Sequence, residues 1–513
     1  MTATSDVQSP GSGTIYEPAT GAIAGTVRWT DPDDVPRIAA GLRAAQHEWE
    51  ARGPQGRAKV LARFAVWLND HRDEIETLLV RETGKSMVDA KAEVPLAILI
   101  ISYVVKTMEK ALAPDSRPAP MPLLSVKKIT VHYRPRPVVG VIAPWNYPVA
   151  NALMDAIGAL AAGCAVLLKP SERTPLTAEL LLRGWTDSGA PEVLALAQGA
   201  REISEAVIDN ADFIQFTGST ATGRKVMERA ARRLTPVSLE LGGKDPMIVL
   251  EDADVELAAN AAVWGAMFNA GQTCVSVERV YVLEPAYDAF VAAVVKAVQN
   301  LKVGAGEGYH LGAQIDASQV DITERHVNEA VAAGARALTG GKRPDGPGSF
   351  YPPTVLVDVD HSMACMTQET FGPTLPVMKV ADEAEAIRLA NDSMYGLSAT
   401  VWSRDKERAQ RVARQLDTGA VNINDFAANG FASEVPMGGW KQSGIGARGG
   451  GAHGIRKYCR PQVITSPLIP TLSSEPMWYP ASRRRTAIAL GMLRAAASHG
   501  LRRIGISPKR GDR

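Results

Sequence analysis

The stretch VVGVIAPWNYPVANALMDAIGALAAGCAVLLKPSE, residues 138–172, decides the fold of this chain. It begins with an apolar run at 138–143 and continues through a turn into a helix-like segment that ends at Ala162. A second apolar run, 165–168, follows and ends in a Pro/Ser turn. Strands that lack polar alternation and are separated by helices indicate a parallel sheet covered on both faces.

The same pattern continues after this stretch. Apolar runs at 193–198 and 212–216 are predicted strands, with predicted helices at 176–187 and 221–232. The segment is therefore predicted to be a doubly wound α/β domain, and such domains bind ligands beyond the carboxyl ends of their strands. A second α/β run follows, with helices between its strands. Its predicted strands are 247–250, 277–283, 337–340, 354–359, 376–380, 399–402 and 419–422.

The chain before the first sheet is predicted to be mainly helical. Apolar residues recur at three- and four-residue spacing in the predicted helices, which are 31–51, 57–69 and 72–83. The most apolar segment, 92–105, contains Glu93 and Pro95 and is predicted to be a buried helix. Residues 1–15 have neither an apolar nor a basic signal region, so we expect a frayed leader there.

Two further segments are predicted to be a linker and a β-strand. Residues 111–125 are rich in proline and alanine and are predicted to be a linker. Residues 127–137 alternate β-branched and polar side chains and then break at two prolines. This pattern predicts an exposed strand at a sheet edge, or a strand that pairs with another segment.

Composition excludes several classes of protein. The 513 residues include 56 Lys and Arg against 55 Asp and Glu, and the net charge of +1 excludes a globally basic nucleic-acid binder. The four cysteines form no CxxC pair and the eight histidines form no HExxH pair, so neither a disulfide framework nor a metal site is predicted. No segment reaches about 18 consecutive apolar residues. We therefore expect a soluble, cytoplasmic protein.

The loop FNAGQTC, residues 268–274, places one cysteine between a predicted helix and a predicted strand. A thiolate is a strong nucleophile, and a loop position can leave Cys274 accessible. The alternative is a small buried side chain, which is the commoner fate of a lone cysteine. We expect that fate for Cys164, Cys365 and Cys459.

Three other motifs carry candidate chemistry. Glu240 begins ELGGK, where partial desolvation would raise its pKa and suit it to act as a general base; the alternative is a solvated carboxylate at a turn. Asn146 lies in PWNYP, where two prolines can fix its amide as an oxyanion donor; the alternative is an Asx turn. The turn FTGSTATG, 216–223, can present amides to a phosphate, although it is neither GxGxxG nor a P-loop.

These motifs together resemble the NAD(P)-dependent aldehyde dehydrogenase superfamily, over roughly residues 15–465. The matching segments are PWNYP, LLKPSE, FTGSTATG, ELGGK, NAGQTC, QETFGP, NDSMYGLSA, GAVNIND and PMGGWKQSGIG. Their common order makes coincidence implausible and favours the functional interpretation of Cys274, Glu240 and Asn146.

The resemblance implies a mechanism and a cofactor site. Cys274 would attack the aldehyde, Asn146 and the Cys274 amide would hold the oxyanion, hydride would pass to the nicotinamide, and Glu240 would activate water to release a carboxylic acid from the thioester. The implied cofactor-binding residues are Trp145, Lys169, Ser171, Glu172, Gly218, Ser219, Leu241, Glu369 and Phe371. Among them Glu172 favours NAD over NADP, since a carboxylate accepts hydrogen bonds from ribose hydroxyls and repels a 2′-phosphate.

The resemblance also bears on the substrate. Glu240 argues against the CoA-acylating branch of the superfamily, which typically lacks a base at this position. In the succinic semialdehyde branch, arginines usually occupy the positions of Phe268 and Met154 in this chain. We therefore expect an apolar or aromatic aldehyde, with Phe268, Met154 and Phe431 as candidate tunnel-lining residues. The alternatives are succinic semialdehyde as substrate, and a catalytically silent scaffold of the same fold.

The resemblance implies a division of the chain. Residues 1–126 and 142–239 would form the NAD-binding domain and 240–425 the catalytic domain. Residues 127–141 and 455–470 would form a small β element that makes a homodimer or homotetramer.

The resemblance does not cover a basic C-terminal extension, 471–513. Residues 483–513 carry nine Lys and Arg and one Asp. Residues Ile488, Met492, Leu493 and Ala496 could line one face of a helix in this extension, so peripheral contact with a membrane through residues 483–506 is one hypothesis. A solvated tail, or one docked on another subunit, is the other.

Overall fold

The computed structural model describes residues 11–118, 127–426, 428–468, 478–479 and 482–503. They form two compact units. The first comprises the described residues up to Ala111 together with Pro135–Tyr458, and the second comprises those of Leu112–Arg134 and from Cys459 onward.

Helices and strands alternate along most of the chain. Up to the end of the first sheet they are β1 (Ser12–Tyr16), β2 (Ile23–Arg28), α1 (Val35–Ala51), α2 (Gly53–Asp70), α3 (Arg72–Thr83), α4 (Met87–Leu112), β3 (Asp115–Arg117), β4 (Lys127–Pro135), β5 (Val138–Ile142), α5 (Ala150–Ala162), β6 (Ala165–Lys169), α6 (Pro175–Asp187), β7 (Leu194–Leu196), α7 (Arg201–Asn210), β8 (Phe213–Thr217), α8 (Thr220–Ala231) and β9 (Val237–Glu240). They continue with β10 (Asp245–Val249), α9 (Val255–Met267), β11 (Val277–Leu283), α10 (Glu284–Gln299), α11 (Ala317–Ala332), β12 (Arg336–Ala337), β13 (Thr354–Val357), α12 (Ala364–Thr367), β14 (Thr374–Val380), α13 (Glu383–Asn391), β15 (Ser398–Trp402), α14 (Lys406–Ala413), β16 (Ala420–Ile423), α15 (Ala428–Phe431), β17 (Pro436–Met437), β18 (Gly444–Ile445), β19 (Arg448–Gly449), α16 (Ala452–Arg456), β20 (Cys459–Pro467) and α17 (Arg483–Arg503).

The first unit contains the predicted doubly wound sheet. Its strand order is β18-β9-β8-β5-β6-β7, and all neighbours are parallel except β18 with β9. The apolar helix α5 is buried on nearly every side, because α2, α16 and strand β6 all pack against it. A helix that is apolar all round requires such surroundings.

A seven-stranded sheet lies in the same unit. Its order is β12-β13-β14-β11-β10-β15-β16, parallel throughout except between β12 and β13. Strands β10 and β11 are buried along their whole length, as expected for parallel strands with both faces covered. The mixed α/β architecture predicted from the apolar runs is confirmed.

The second unit contains a three-stranded sheet in the order β20-β4-β3. Strand β20 is exposed along nearly all its length. The helix α17 of this unit is also mostly exposed.

Two local expectations require correction, and two others are confirmed. Residues 12–15 are part of β1, which pairs with β2, so the frayed leader expected at 1–15 is wrong for them. Residues 115–117 form a strand inside the expected linker. The strand predicted at 127–137 is present as β4, and of its two expected arrangements the second is confirmed, because β4 is the middle strand of its sheet and pairs with other segments. The buried helix predicted at 92–105 is part of α4, which contains Pro95.

Candidate active site

Three sequence motifs meet at one edge of the first sheet. Strand β5 leads into the turn that carries Asn146, β8 leads into Gly218 and Ser219 at the start of α8, and β9 ends at Glu240. The three strands are neighbours and parallel, so their carboxyl ends lie side by side. In doubly wound folds ligands bind at such an edge, close to the point where the strand order reverses.

Glu240 is held by its backbone at the end of β9, with its side chain buried. Its backbone pairs with Gly444, and the next amide, of Leu241, donates to the Ser443 carbonyl at 2.9 Å. The side chain is 3% exposed, and among the described residues neither carboxylate oxygen has a hydrogen-bond partner. Burial raises the Glu240 pKa to about 7, although Arg448 and Lys457 oppose the rise. The group can therefore gain and lose a proton near neutral pH.

Cys274 lies at the end of a strained loop between α9 and β11. Asn269 and Ala270 both have φ of 54°, in the left-handed region that non-glycine residues rarely adopt. The loop closes on itself, since the Gln272 amide side chain donates to the Asn269 carbonyl at 3.1 Å. Cys274 is half-buried, whereas Cys164, Cys365 and Cys459 are buried, as expected.

The backbone of the ELGGK motif approaches this cysteine closely. A Cβ at position 243 would lie 2.5 Å from the Cys274 carbonyl oxygen, so only Gly243 permits the contact. Burial raises the pKa of the Cys274 thiol to about 12, although the charge of the Arg448 guanidinium opposes this rise. At neutral pH the thiol is therefore protonated, and its proton must leave as the sulfur attacks a carbonyl.

Asn146 is buried, and its side chain points to the cysteine loop. The Nδ2 atom donates to the Gln272 carbonyl oxygen at 3.0 Å, and Oδ1 accepts from Asn151 Nδ2 at 3.3 Å. Because an amide nitrogen carries two N–H bonds, the second can be donated to an oxyanion. The neighbouring Tyr147 hydroxyl and Thr273 Oγ1 are 2.6 Å apart, which ties the two loops together.

A buried ionic cluster that the sequence analysis missed surrounds Glu240. Arg448 donates to both Asp155 carboxylate oxygens, at 2.8 and 2.6 Å, and Asp155 holds the pKa of Arg448 above its ordinary value against the effect of burial. Lys457 donates to Gln215 Oε1 at 2.7 Å, and burial lowers its pKa to about 8. Arg448 lies two residues after the end of the PMGGWKQSGIG motif, but its partner Asp155 is 293 residues away in the chain.

Three of the implied cofactor-binding residues, Lys169, Ser171 and Glu172, lie close together in the chain at the end of β6. Lys169 Nζ and Glu172 Oε2 are 3.1 Å apart at the end of β6, with Lys169 buried and Glu172 exposed. Burial raises the Glu172 pKa, but the Lys169 ammonium, a backbone hydrogen bond and the Arg173 charge together outweigh burial, and the net pKa is lowered. Ser171 is buried, and its hydroxyl accepts from the Arg173 amide at 3.2 Å. Glu172 is therefore ionised and accessible to a hydroxyl ligand.

The predicted phosphate-binding turn forms the start of a helix. Ser219 caps α8, and its hydroxyl accepts from the Thr222 amide at 3.3 Å. Leu241 packs against this helix, because a Cβ at Gly223 would lie 2.5 Å from Leu241 Cδ2. The first amides of a helix have no partner within it, and they favour anions. The first backbone amides of α8 are therefore suited to bind the pyrophosphate of a dinucleotide.

Among the remaining predicted cofactor residues, Glu369 lies beside the ELGGK backbone, and Phe371 packs against Trp145. The Glu369 carboxylate accepts from the Gly243 amide at 3.0 Å, and burial raises its pKa to about 8. Phe371 has φ of 54° and contacts Trp145 edge to face, with ring centroids 5.5 Å apart. Both residues are half-buried, so they can contact a ligand.

Two of the three candidate tunnel-lining residues, Met154 and Phe268, lie in apolar surroundings. Met154 lines a recess together with Ile100, Tyr103 and Val435. Among the described residues lining that recess, Arg448 is the only cation, and Asp155 neutralises it. Phe268 packs against Trp264 with ring centroids 4.9 Å apart, and lies 6.3 Å from the Tyr147 ring. Phe431 is exposed in α15.

Membrane spans and metal sites are both absent from the described part of the chain. None of its helices combines the length and the apolar character that crossing a membrane requires. Within the same residues, no group of three or more His, Cys, Asp or Glu side chains could hold a metal ion.

The fold and the site define an α/β protein with a half-buried cysteine beside a buried glutamate, at the carboxyl edge of a doubly wound sheet. The model of the aldehyde dehydrogenase family matches residues 6–464. The chain belongs to the aldehyde dehydrogenase family, and it is an oxidoreductase that uses NAD(P) to oxidise an aldehyde.

Similar proteins carry several substrate names. A Mycolicibacterium smegmatis relative named "Putative succinate-semialdehyde dehydrogenase", NADP(+)-type, is 39% identical over 476 residues, which are 91% of each chain. The 4,4'-diapolycopene aldehyde oxidase of a Methylomonas species is 39% identical over 91% of this chain and 87% of the relative. The structure of betaine aldehyde dehydrogenase from Staphylococcus aureus with NAD+ has a TM-score of 0.86 and 33% identity, over 91% of this chain and 94% of that one.

Proposed function

We propose that this enzyme oxidises an apolar or aromatic aldehyde to its carboxylic acid, with Cys274 as nucleophile, Asn146 as oxyanion donor and Glu240 as general base. The observation that carries the proposal is the buried Glu240 carboxylate, which lacks hydrogen-bond partners among the described residues and titrates near pH 7. It interacts electrostatically with the half-buried Cys274.

The residues divide the tasks of this scheme. Cys274 Sγ forms a bond to the carbonyl carbon while the C=O π bond breaks, its proton passes to water or to Glu240, and Asn146 Nδ2 and the Cys274 amide donate to the resulting oxyanion. NAD(P) held by the proposed cofactor residues would supply the hydride acceptor, and loss of hydride from the Cys274 adduct would leave an acyl group on Sγ. Glu240 then takes a proton from water, the hydroxide attacks the thioester carbon, and the carbon–sulfur bond breaks to release the acid and the thiolate.

For the cofactor we propose the nine residues predicted from the sequence, with NAD preferred over NADP. The exposed, ionised Glu172 carboxylate supports NAD, because it would repel a 2′-phosphate. The Mycolicibacterium smegmatis relative is named for NADP(+), which makes this preference a property to be tested in this chain.

For the substrate we propose an aldehyde without a distal carboxylate. The recess beside Met154 supports this, since its one cation among the described lining residues is already paired. A carboxylate entering such a place would lose its hydration without gaining a partner. The relatives are named for different aldehydes, 4,4'-diapolycopene aldehyde in one and succinate semialdehyde in the other, and the second name supports the alternative.

The proposal predicts a substrate order. We expect hexanal and benzaldehyde to have a kcat/KM at least about 10-fold above that of succinic semialdehyde, the difference that one unpaired buried charge readily produces. NADH and NADPH formation would be followed by absorbance at 340 nm with each aldehyde. A higher value for succinic semialdehyde would contradict the substrate class, and a higher value with NADP would contradict the cofactor preference. No turnover despite cofactor binding would favour the silent scaffold.

The larger organisation of the enzyme is also a proposal. The division into a cofactor domain, 1–126 and 142–239, and a catalytic domain, 240–425, is supported by the two parallel sheets of the first unit. A homodimer or homotetramer is supported by β20, an exposed strand at the edge of its sheet with exposed Val463 and Ile464. We propose a cytoplasmic enzyme that contacts membranes peripherally.

The membrane proposal rests on the helix α17. Residues 483–503 contain six arginines and no Asp or Glu. Ile488 and Met492, four residues apart and therefore on one face, are 55% and 47% exposed, while Leu493 and Ala496 are half-buried. A basic helix with an exposed apolar edge fits an anionic lipid surface. Residues 504–506 of the predicted segment lie outside the described residues.

Vesicle binding tests this surface. We expect the full chain to co-sediment with vesicles containing about 30% phosphatidylglycerol and to be released by 0.5 M salt, since charge attraction is screened. A chain ending at residue 479 should lose most of the binding and keep its turnover of water-soluble aldehydes. Ile488→Ser with Met492→Ser is the matched variant that keeps every arginine, and it should weaken binding several-fold. Equal sedimentation of the full and shortened chains would refute the proposal.

A further inference from the structure

A fully buried ion pair lies next to the proposed oxyanion donor. Lys85 follows α3 and Glu93 lies in α4, and each side chain is 1% exposed. Lys85 Nζ donates to Glu93 Oε1. Removing two charges from water is costly, and an apolar pair of similar volume often gives equal or greater stability. Stability alone therefore does not explain this pair.

The ion pair holds the Asn146 turn from both ends. Lys85 Nζ also donates to the Asn146 backbone carbonyl oxygen at 3.0 Å. Glu93 Oε2 accepts from the amides of Val149 and Ala150, both at 3.0 Å, at the start of α5. One side-chain pair thus fixes the carbonyl of residue 146 and the first amides of the following helix.

The same contacts extend to the cysteine loop. Asn269 Nδ2 donates to the Asn146 carbonyl oxygen at 3.1 Å and to the Gln272 carbonyl oxygen at 3.1 Å. The Gln272 oxygen also accepts from Asn146 Nδ2. Lys85 Nζ lies 4.7 Å from the centre of the Tyr147 ring, whose hydroxyl bonds to Thr273. Lys85 therefore holds the backbone of Asn146, and the cysteine loop holds its side-chain amide.

We propose that Lys85 and Glu93 are positioning residues for the oxidation, which act through Asn146 by keeping its amide aimed at the oxyanion. This inference rests on the proposed role of Asn146. The ammonium binds the Asn146 carbonyl and stays at a fixed distance from it because Glu93, anchored on the α5 amides, holds the ammonium in place. Charged hydrogen bonds are shorter and more directional than neutral ones, which suits this task.

A double-mutant cycle between Lys85 and Asn146 tests the inference. Asn146→Ala removes one oxyanion donor, and we expect kcat/KM to fall about 100-fold. Lys85→Met keeps the side-chain length, and we expect a fall of about 10-fold, as for a displaced catalytic donor. In the Asn146→Ala background the same Lys85 change should cost less than about 2-fold, because the group through which Lys85 acts is already absent.

The outcomes are distinguishable. No loss in Asn146→Ala would overturn the oxyanion role of Asn146 and with it the inference. A 100-fold loss in Asn146→Ala, with an undiminished further loss on adding Lys85→Met, would overturn the inference alone. Thermal unfolding and NAD binding report the fold of each variant.

Two further variants complete the test. If Lys85→Met does not fold, Glu93→Gln takes its place in the cycle, because the amide oxygen can still accept from Val149 and Ala150 while the charge is lost. Arg408→Met is the control for loss of an ion pair elsewhere, since Arg408 binds Glu251 and Glu383. It should lower the unfolding temperature and leave kcat within about 2-fold, as distant sites are independent.

Discussion

Replacement of Cys274 by serine is expected to abolish NADH formation, with a fall in kcat of at least about 10⁴-fold, because no other group can form the acyl intermediate. A hydroxyl is a much weaker nucleophile than a thiol, and Asn146 and Glu240 have no covalent intermediate to act upon. The assay follows absorbance at 340 nm with the best aldehyde of the panel. Unchanged quenching of protein fluorescence by NAD would show that the cofactor still binds.

The matched control for this change is Cys365→Ala. Cys365 is buried in the core beside Tyr281 and Leu356, at a place where a small apolar side chain suffices. This variant should keep more than half of the wild-type kcat, since a Cys-to-Ala change removes only one atom from the core. A fully active Cys274→Ser enzyme, or an equal loss in both variants, would contradict the assignment of the nucleophile.

Replacement of Glu240 by glutamine should separate the two halves of the reaction. Glutamine keeps the shape of the side chain and cannot accept a proton from water, so thioester hydrolysis should slow by about 10³-fold. Capture of the aldehyde and loss of hydride do not require hydrolysis. Rapid mixing of enzyme, NAD and aldehyde should therefore give a burst of about one NADH per active site, followed by slow turnover.

The pH dependence supplies an independent test of this role. Burial raises the Glu240 pKa to about 7, and the carboxylate acts as a base only when it is ionised. The steady-state kcat of the wild-type enzyme should therefore be low below pH 6, rise through pH 7 and level off above it, where hydrolysis limits turnover. Glu240→Gln should lose that inflection. Absence of a burst together with an unchanged pH profile would refute the assignment.

The rate of the burst in Glu240→Gln carries further information. The Cys274 thiol has a pKa of about 12 and must lose its proton as it attacks. A burst as fast as that of the wild-type enzyme would show that water takes this proton. A burst of full amplitude that is slower would show that Glu240 takes it.

Much of the sheet structure could be predicted from the sequence because it depends on local patterns. The apolar runs around Gly140, Leu167 and Ile214 have no polar alternation, and the structure confirms parallel, doubly covered strands there. The pairing partners of the other strands were harder to predict. The strand at 127–135 alternates polar and apolar residues as an edge strand does, yet β20 pairs with it from a distant part of the chain. Residues 12–15 similarly gain a partner only from β2.

The candidate site likewise combines residues in short sequence motifs with residues that come together only in the folded chain. Cys274, Glu240 and Asn146 lie in short motifs whose order along the chain resembles the aldehyde dehydrogenase family, and this resemblance indicates their chemistry without knowledge of the fold. Their surroundings could not be predicted in this way. Arg448 and Asp155 are ordinary charged residues in the sequence, and only the fold removes them from water and joins them across 293 residues.

The sequence by itself therefore determined the α/β architecture and indicated the candidate nucleophile, base and oxyanion donor, because each depends on residue types within a few positions of one another. The tertiary structure alone decided which charges are buried and paired. The Lys85 contact with the Asn146 carbonyl and the cations around Glu240 arise where distant segments pack together. The cost of burying a charge, and hence the pKa of Glu240, depends on all the groups that surround it in space, and their identity is set by packing rather than by neighbours in the chain.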